Sequence, residues 1–221
     1  CTDVLIKVVR NMRDKIIEMG GEFLFETCLT DLHIKNHHLV EIEVNGKEMI
    51  PCSNLVLAIG HSARDTFQML LEKNINMSAK PFALGVRIEH SQSMINESQY
   101  GMKSHAKLAP ASYKLTYTTT SGRGVYSFCM CPGGYVVNAS SEDGLLAING
   151  MSNYNRESEN ANSAIVVSVK PEDFGNNVLD GMAFQRKLER LAFLEGNGNI
   201  PIQCYRDFKE NKVTTKLGTV K

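Results

Sequence analysis

The sequence predicts a fold that combines α/β and α+β character. An α/β-like opening of about sixty residues leads into a mainly antiparallel β region with flanking helices. Three observations predict it. The first 64 residues order as helix, strand, hairpin and apolar strand. From Pro81 onward, short alternating segments follow one another closely, as antiparallel strands do. The turns between those segments, SGRG at 121–124, CPGG at 131–134 and SEDG at 141–144, are short and rich in glycine.

The elements follow in order. Thr2 to Met19 reads as an amphipathic helix, with Leu5, Val8, Val9, Met12 and Ile16 at helical spacing and Gly20-Gly21 as its stop. Glu22 to Thr27 reads as a strand. Leu39 to Ile50 alternates around Asn45-Gly46, a strong short-range hairpin signal. Leu55 to Ile59 is a continuous apolar run, expected of a strand buried on both faces of a largely parallel sheet. Gly60 ends it. Ser62, with Asp65 three residues on, then reads as the N-cap of a helix whose apolar face is Phe67, Leu70 and Leu71. Such a strand, turn and helix start forms an edge suited to an anion or a cofactor.

Past Lys73 the texture becomes β-rich. Strands are expected at Phe82 to His90, Lys114 to Thr119, Val125 to Cys129, Tyr135 to Ala139, Leu145 to Asn149 and Ala164 to Val169. A helix from about Met182 to Leu194 follows, closed by the glycines and asparagines of 196–199. The last twenty or so residues are polar, with no evident element. The chain opens at Cys1 on the threshold of a helix, and the expectation is an internal piece of a longer protein.

Composition narrows the function classes. Lys plus Arg and Asp plus Glu are 24 each, so there is no electrostatic case for nucleic acid or an anionic membrane surface. No apolar stretch approaches the ~20 residues that span a bilayer. Six cysteines, at 1, 28, 52, 129, 131 and 204, are irregularly spaced in a chain of 221 residues. Reduced thiols in a cytoplasmic protein are therefore expected rather than a disulfide framework.

Three constellations carry chemistry. At the first, Gly60, His61, Ser62 and Arg64 offer a backbone approach, an imidazole, a hydroxyl and a guanidinium, against the plain alternative of a helix cap and a solvated first-turn arginine. The second is Cys129-Met-Cys131-Pro-Gly-Gly134, where strand alternation would put both thiols on one face. A thiol there becomes a nucleophile or redox group if its pKa is lowered. The one-residue spacing nevertheless departs from the C-x-x-C redox or zinc pattern, no metal site is expected, and buried small apolar residues are the plain alternative. Pro132, Gly133 and Gly134 let backbone come close to a ring or ligand. Third, the polar run Asn149 to Asn162, with Asn138 before it, supplies amide and hydroxyl partners for a neutral, hydrogen-bonding small-molecule substrate or a flavin edge. Its candidates are Asn149, Ser152, Asn160 and Asn162, set against an ordinary exposed loop.

Four long segments carry a resemblance: LVLAIGHSARDTFQML at 55–70, KPFALGVRIEH at 80–90, SFCMCPGGYVVNASSEDG at 127–144 and NGMSNYNRESENANSA at 149–164. Together they resemble the uncharacterised FAD-dependent dehydrogenases of bacteria. The resemblance implies a glutathione-reductase-like FAD domain interrupted by a substrate domain. Residues 1–64 would be the trailing part of the FAD domain, and 65–221 the inserted substrate domain, cut at its C-terminal end. Gly60, His61, Ser62, Arg64 and Pro132 to Gly134 would lie near the flavin, with His61, Cys129 and Cys131 as catalytic candidates. NAD(P)H is the implied electron partner.

The sequence also departs from that pattern. No GxGxxG loop for the FAD pyrophosphate is present; Gly122-Arg-Gly124 and Gly196-Asn-Gly198 lack the third glycine and the strand-to-helix setting. The chain alone is therefore expected not to retain FAD and to need the remainder of its own protein to complete the site. A reading from another class stands beside this one: a non-catalytic β-rich module that binds a ligand or a protein through Cys129 to Gly134 and Asn149 to Asn162.

Overall fold

The computed structural model describes residues 2–217. Cys1, at which the chain opens, and residues 218–221, the end of the polar tail, lie outside the described residues. The opening helix α1 runs Thr2–Glu18 and stops at Gly20, whose φ of 88° is the left-handed conformation of a helix terminus. An antiparallel three-stranded sheet follows: β1 Leu29–Lys35, β2 His38–Val44 and β3 Glu48–Pro51, in that order across the sheet. The Asn45-Gly46 turn joins β2 to β3 with φ of 55° and 70°, the positive values that a tight hairpin demands.

Two expected strands are corrected. Residues 22–27 pair with nothing; they hold a turn in which Glu26 takes a φ of 53°, and the first strand starts at Leu29 instead. Leu55 to Ile59 is neither a strand nor buried: Val56 is 89% exposed. The physical reason is shared. A strand exists only where a neighbour's N–H and C=O groups complete its ladder, and among the described residues none lies beside either segment.

After the loop at 52–63, helix α2 spans Arg64–Glu72. Its N-cap is Ala63, with no side-chain cap, so Ser62 does not take the capping role expected of it. The Ser62 hydroxyl sits instead 3.4 Å from His61 Nε2.

The β-rich region forms two further sheets. In the larger, β4 Phe82–Ser91, β9 Asn160–Val169, β6 Gly124–Cys131 and β5 Thr116–Thr118 lie side by side, all antiparallel. The β4 and β9 ladder is unbroken from Phe82 opposite Val169 to Ser91 opposite Asn160. The smaller sheet pairs β7 Gly134–Asn138 with β8 Ile148–Ser152. Expected and observed strands agree within a few residues, except that the pairing segment near 145–152 begins at Ile148. Leu145 and Leu146 are buried just before it.

Helix α3, Gln92–Tyr100, leaves β4 directly; Ser91 Oγ caps it by accepting the Met94 N–H, and Gly101 closes it at φ 71°. Past β9 come α4 Pro171–Phe174, α5 Asp180–Glu195 and the short α6 Tyr205–Lys209, which occupies the stretch expected to lack an element. The rings of Phe82, Phe174 and Phe184 pack with centroids 5.2 to 6.4 Å apart and pin β4 to α4 and α5. Asn162 and Ser163 are fully buried near the start of β9. Polar residues at that depth make the middle of the larger sheet the natural place to look for a site.

Candidate functional site

β6 places the two central thiols, and it does so through a bulge. Pairing with β9 is regular to Phe128 opposite Ala164 and resumes only at Cys131 opposite Asn162. Within the interruption Cys129 adopts a φ of 47°, a strained value for a non-glycine residue. Strict alternation therefore fails here, and the expected shared face is corrected: Cys129 is exposed and Cys131 is buried. Cys131 Sγ donates to the Cys129 carbonyl at 3.4 Å. Burial, and secondarily the neighbouring Cys129, push the Cys131 thiol up from its ordinary pKa, while Arg87 pulls the other way.

The turn that follows is latched on all sides. Gly133 N–H donates to Gln92 Oε1 at 2.8 Å, and Ser152 Oγ donates to the Pro132 carbonyl at 2.8 Å. A Cβ on Gly133 would run into the Arg156 backbone, and one on Gly134 into the Met151 carbonyl. The close approach that these glycines permit is thus made by the chain's own backbone.

Arg87, from the middle of β4, reaches across to this turn. Its Nη1 donates to Asn162 Oδ1 and to the Cys129 carbonyl, at 2.5 and 3.3 Å, and its Nη2 lies 3.4 Å from Asn149 Oδ1. Gly150 makes this possible, because a Cβ there would overlap the Arg87 guanidinium and the Asn162 amide. Beside it, His90 Nε2 and Tyr113 Oη are 2.8 Å apart. Burial lowers the His90 pKa and raises that of Tyr113, so both stay neutral at pH 7.

The structure therefore gathers Cys129, Cys131, Pro132, Gly133, Gly134, Asn149, Ser152 and Asn162 around one turn. Asn160 stands at the exposed start of β9, and Asn138 is occupied in its own turn, where Oδ1 accepts from Ser140 N–H and Oγ. The other group lies in the loop before α2 and on the first residue of that helix. Gly60 has a φ of 67° with open space around it, and His61 is exposed. Arg64 is only 5% exposed and its guanidinium is held by Glu142 and, at 2.8 and 2.9 Å, by both oxygens of Glu189. A phosphate at Arg64 would have to compete with two carboxylates.

Sequence reasoning missed Arg87, His90, Tyr113 and Gln92. Arg87 sits in an alternating strand, where a polar residue reads as the solvent face; only the smallness of Gly150 across the sheets hinted at a guanidinium needing room.

These residues do not by themselves fit an FAD. The glycine turn is filled by backbone, and the described residues include no phosphate-cradling loop. Two shallow depressions, one lined by Leu32 to Lys35 and Lys73 and one by Asn138, 140–145 and Phe193, contain neither thiol nor the Gly60 junction.

Comparison with known proteins supplies the deciding observation. The family described as FAD-dependent protein, C-terminal domain-like, matches residues 81–221. The chain belongs to that family. An uncharacterised protein of Clostridium beijerinckii is 54% identical over 224 aligned residues, covering 99% of this chain. The chain spans 42% of that relative's length. The family match takes in β4 through α6, hence the whole larger sheet and the turn at Cys129 to Gly134. Among the described residues, no helix is long and apolar enough to cross a membrane, and no cluster of His, Cys, Asp and Glu could hold a metal ion.

Proposed function

We propose that this chain is the substrate domain and adjoining FAD-domain segment of a flavin-dependent oxidoreductase of the glutathione-reductase-like type, a cytoplasmic dehydrogenase using NAD(P)H as electron partner. The observation that carries the reading is the family match over 81–221. In this reading residues 65–221 face the substrate, with Asn149, Ser152 and Asn162 as its hydrogen-bonding wall and Asn138 and Asn160 at its margins. Cys129 is the exposed thiol on that wall. Residues 1–64 belong to the cofactor domain, where Gly60, His61 and Ser62 form a rim of the flavin site.

Surface chemistry supports the need for further chain. Val4, Leu5, Ile6, Val8, Val9, Met12, Ile16 and Ile17 of α1 are between 41% and 63% exposed, and Val56 almost wholly so. Apolar surface on that scale marks a contact face. The 42% share of the Clostridium relative leaves ample protein to cover it. In the complete protein a bound flavin would supply the redox chemistry, and Asn149, Ser152 and Asn162 would bind and orient the substrate.

The chain by itself is inactive in this account, since the phosphate-binding loop is not in it. Titration of the purified chain with FAD, followed by desalting, should leave no flavin absorbance with the protein. Stoichiometric flavin surviving the column would overturn this division of labour.

A further inference from the structure

We infer that Arg87 anchors an oxyanion group of the substrate, a carboxylate or a phosphate, beside Cys129, Asn149 and Asn162. The inference deepens the substrate-domain reading and rests on it.

The hydrogen bonds of Arg87 all go to neutral oxygens: two side-chain amides and one peptide carbonyl. Among the described residues no carboxylate pairs with it, although Glu89 stands two residues along the same strand. Two other arginines are held differently, one buried and one partly exposed. Arg64 is held by Glu142 and Glu189, and Arg123 by both oxygens of Asp173. A half-buried guanidinium without a counter-charge is costly, and neutral oxygens orient it without neutralising it. That is the state in which a planar fork of donors is ready for an incoming oxyanion.

A second, independent observation points the same way. Asn162 is fully buried, its Oδ1 is taken by Arg87, and its Nδ2 has no partner. An unmet buried donor beside an uncompensated cation makes the site doubly short of acceptors. Space has been kept for the pair: glycine at 150 leaves room that any side chain would fill. The bulge turns the Cys129 carbonyl onto Arg87 at the cost of a positive φ.

Phenylglyoxal labelling of the protein, read peptide by peptide by mass spectrometry, tests this with inorganic phosphate and with succinate as probes. Saturating probe should slow labelling of Arg87 about tenfold, as occupancy of the competing site requires, and leave Arg10 and Arg190 unchanged. Protection by phosphate alone assigns a phosphate-bearing substrate, and protection by succinate alone a carboxylate. Absence of protection by either, or equal protection of the control arginines, overturns the inference. Asn162→Asp would supply an internal carboxylate and should abolish the protection; a folded variant that keeps it in full also overturns the inference. If that variant does not fold, labelling of the unaltered protein decides. No flavin is needed, so failure here leaves the flavoprotein reading standing, and loss of that reading would leave the protection intact.

Discussion

Cys129 and Cys131 stand two residues apart yet differ in both properties that govern thiol reactivity. Cys129 is exposed on a bulge, whereas Cys131 is buried with its pKa raised. Iodoacetamide at neutral pH should therefore alkylate Cys129 at least about tenfold faster than Cys131. Equal rates would show that the bulge does not separate them. Arg64 makes the second residue-scale case. Replacing it with Met strands Glu142 and Glu189 beside each other, 26% and 19% exposed, with only Arg186 left against Glu142. Breaking such a pair should lower stability by about 3 kcal/mol in urea unfolding. A loss under about 1 kcal/mol would mean the network is as weak as a surface ion pair.

At the scale of elements, Asp173 binds α4 to the larger sheet. Its carboxylate receives both terminal nitrogens of Arg123, at 2.7 and 2.8 Å, and the Lys170 N–H at 2.8 Å. Arg123 first, and that N–H second, hold its pKa far below the ordinary 3.8. A depressed carboxylate stabilises the fold above its unfolded value and loses that contribution as pH falls toward the folded one. The stability gap between the protein and Asp173→Asn should therefore be full above about pH 5 and close progressively toward about pH 2. A gap independent of pH would contradict it.

The elements also show what could be read from sequence. The Asn45-Gly46 hairpin, β4, β9 and α5 were legible because turn chemistry and periodicity act locally. α3 was not, since Gln92 to Tyr100 is largely polar and its start depends on Ser91 as a cap. Leu55 to Ile59 misled for the opposite reason. Its apolar run specifies burial, but burial needs a neighbour, and none is among the described residues. Of the candidate site, the Cys129 to Gly134 turn was singled out from residue type, and Asn149, Ser152 and Asn162 only with the family resemblance beside it. Arg87 was not, because its meaning lies in the carboxylate it does not have.

On the scale of the whole molecule, a well-knit β-rich body joins an opening segment whose apolar surface lies exposed. The family match covers the β-rich body and begins at residue 81, while the likeness to the Clostridium protein runs through both. In the proposed reading the complete protein is a flavin enzyme in which this chain faces the substrate. The visible absorption spectrum of the purified full-length protein, before and after NADH or NADPH, tests it most directly. The account predicts bound flavin whose absorbance bleaches on addition of one of the two nucleotides. A colourless protein that takes up no FAD would contradict it.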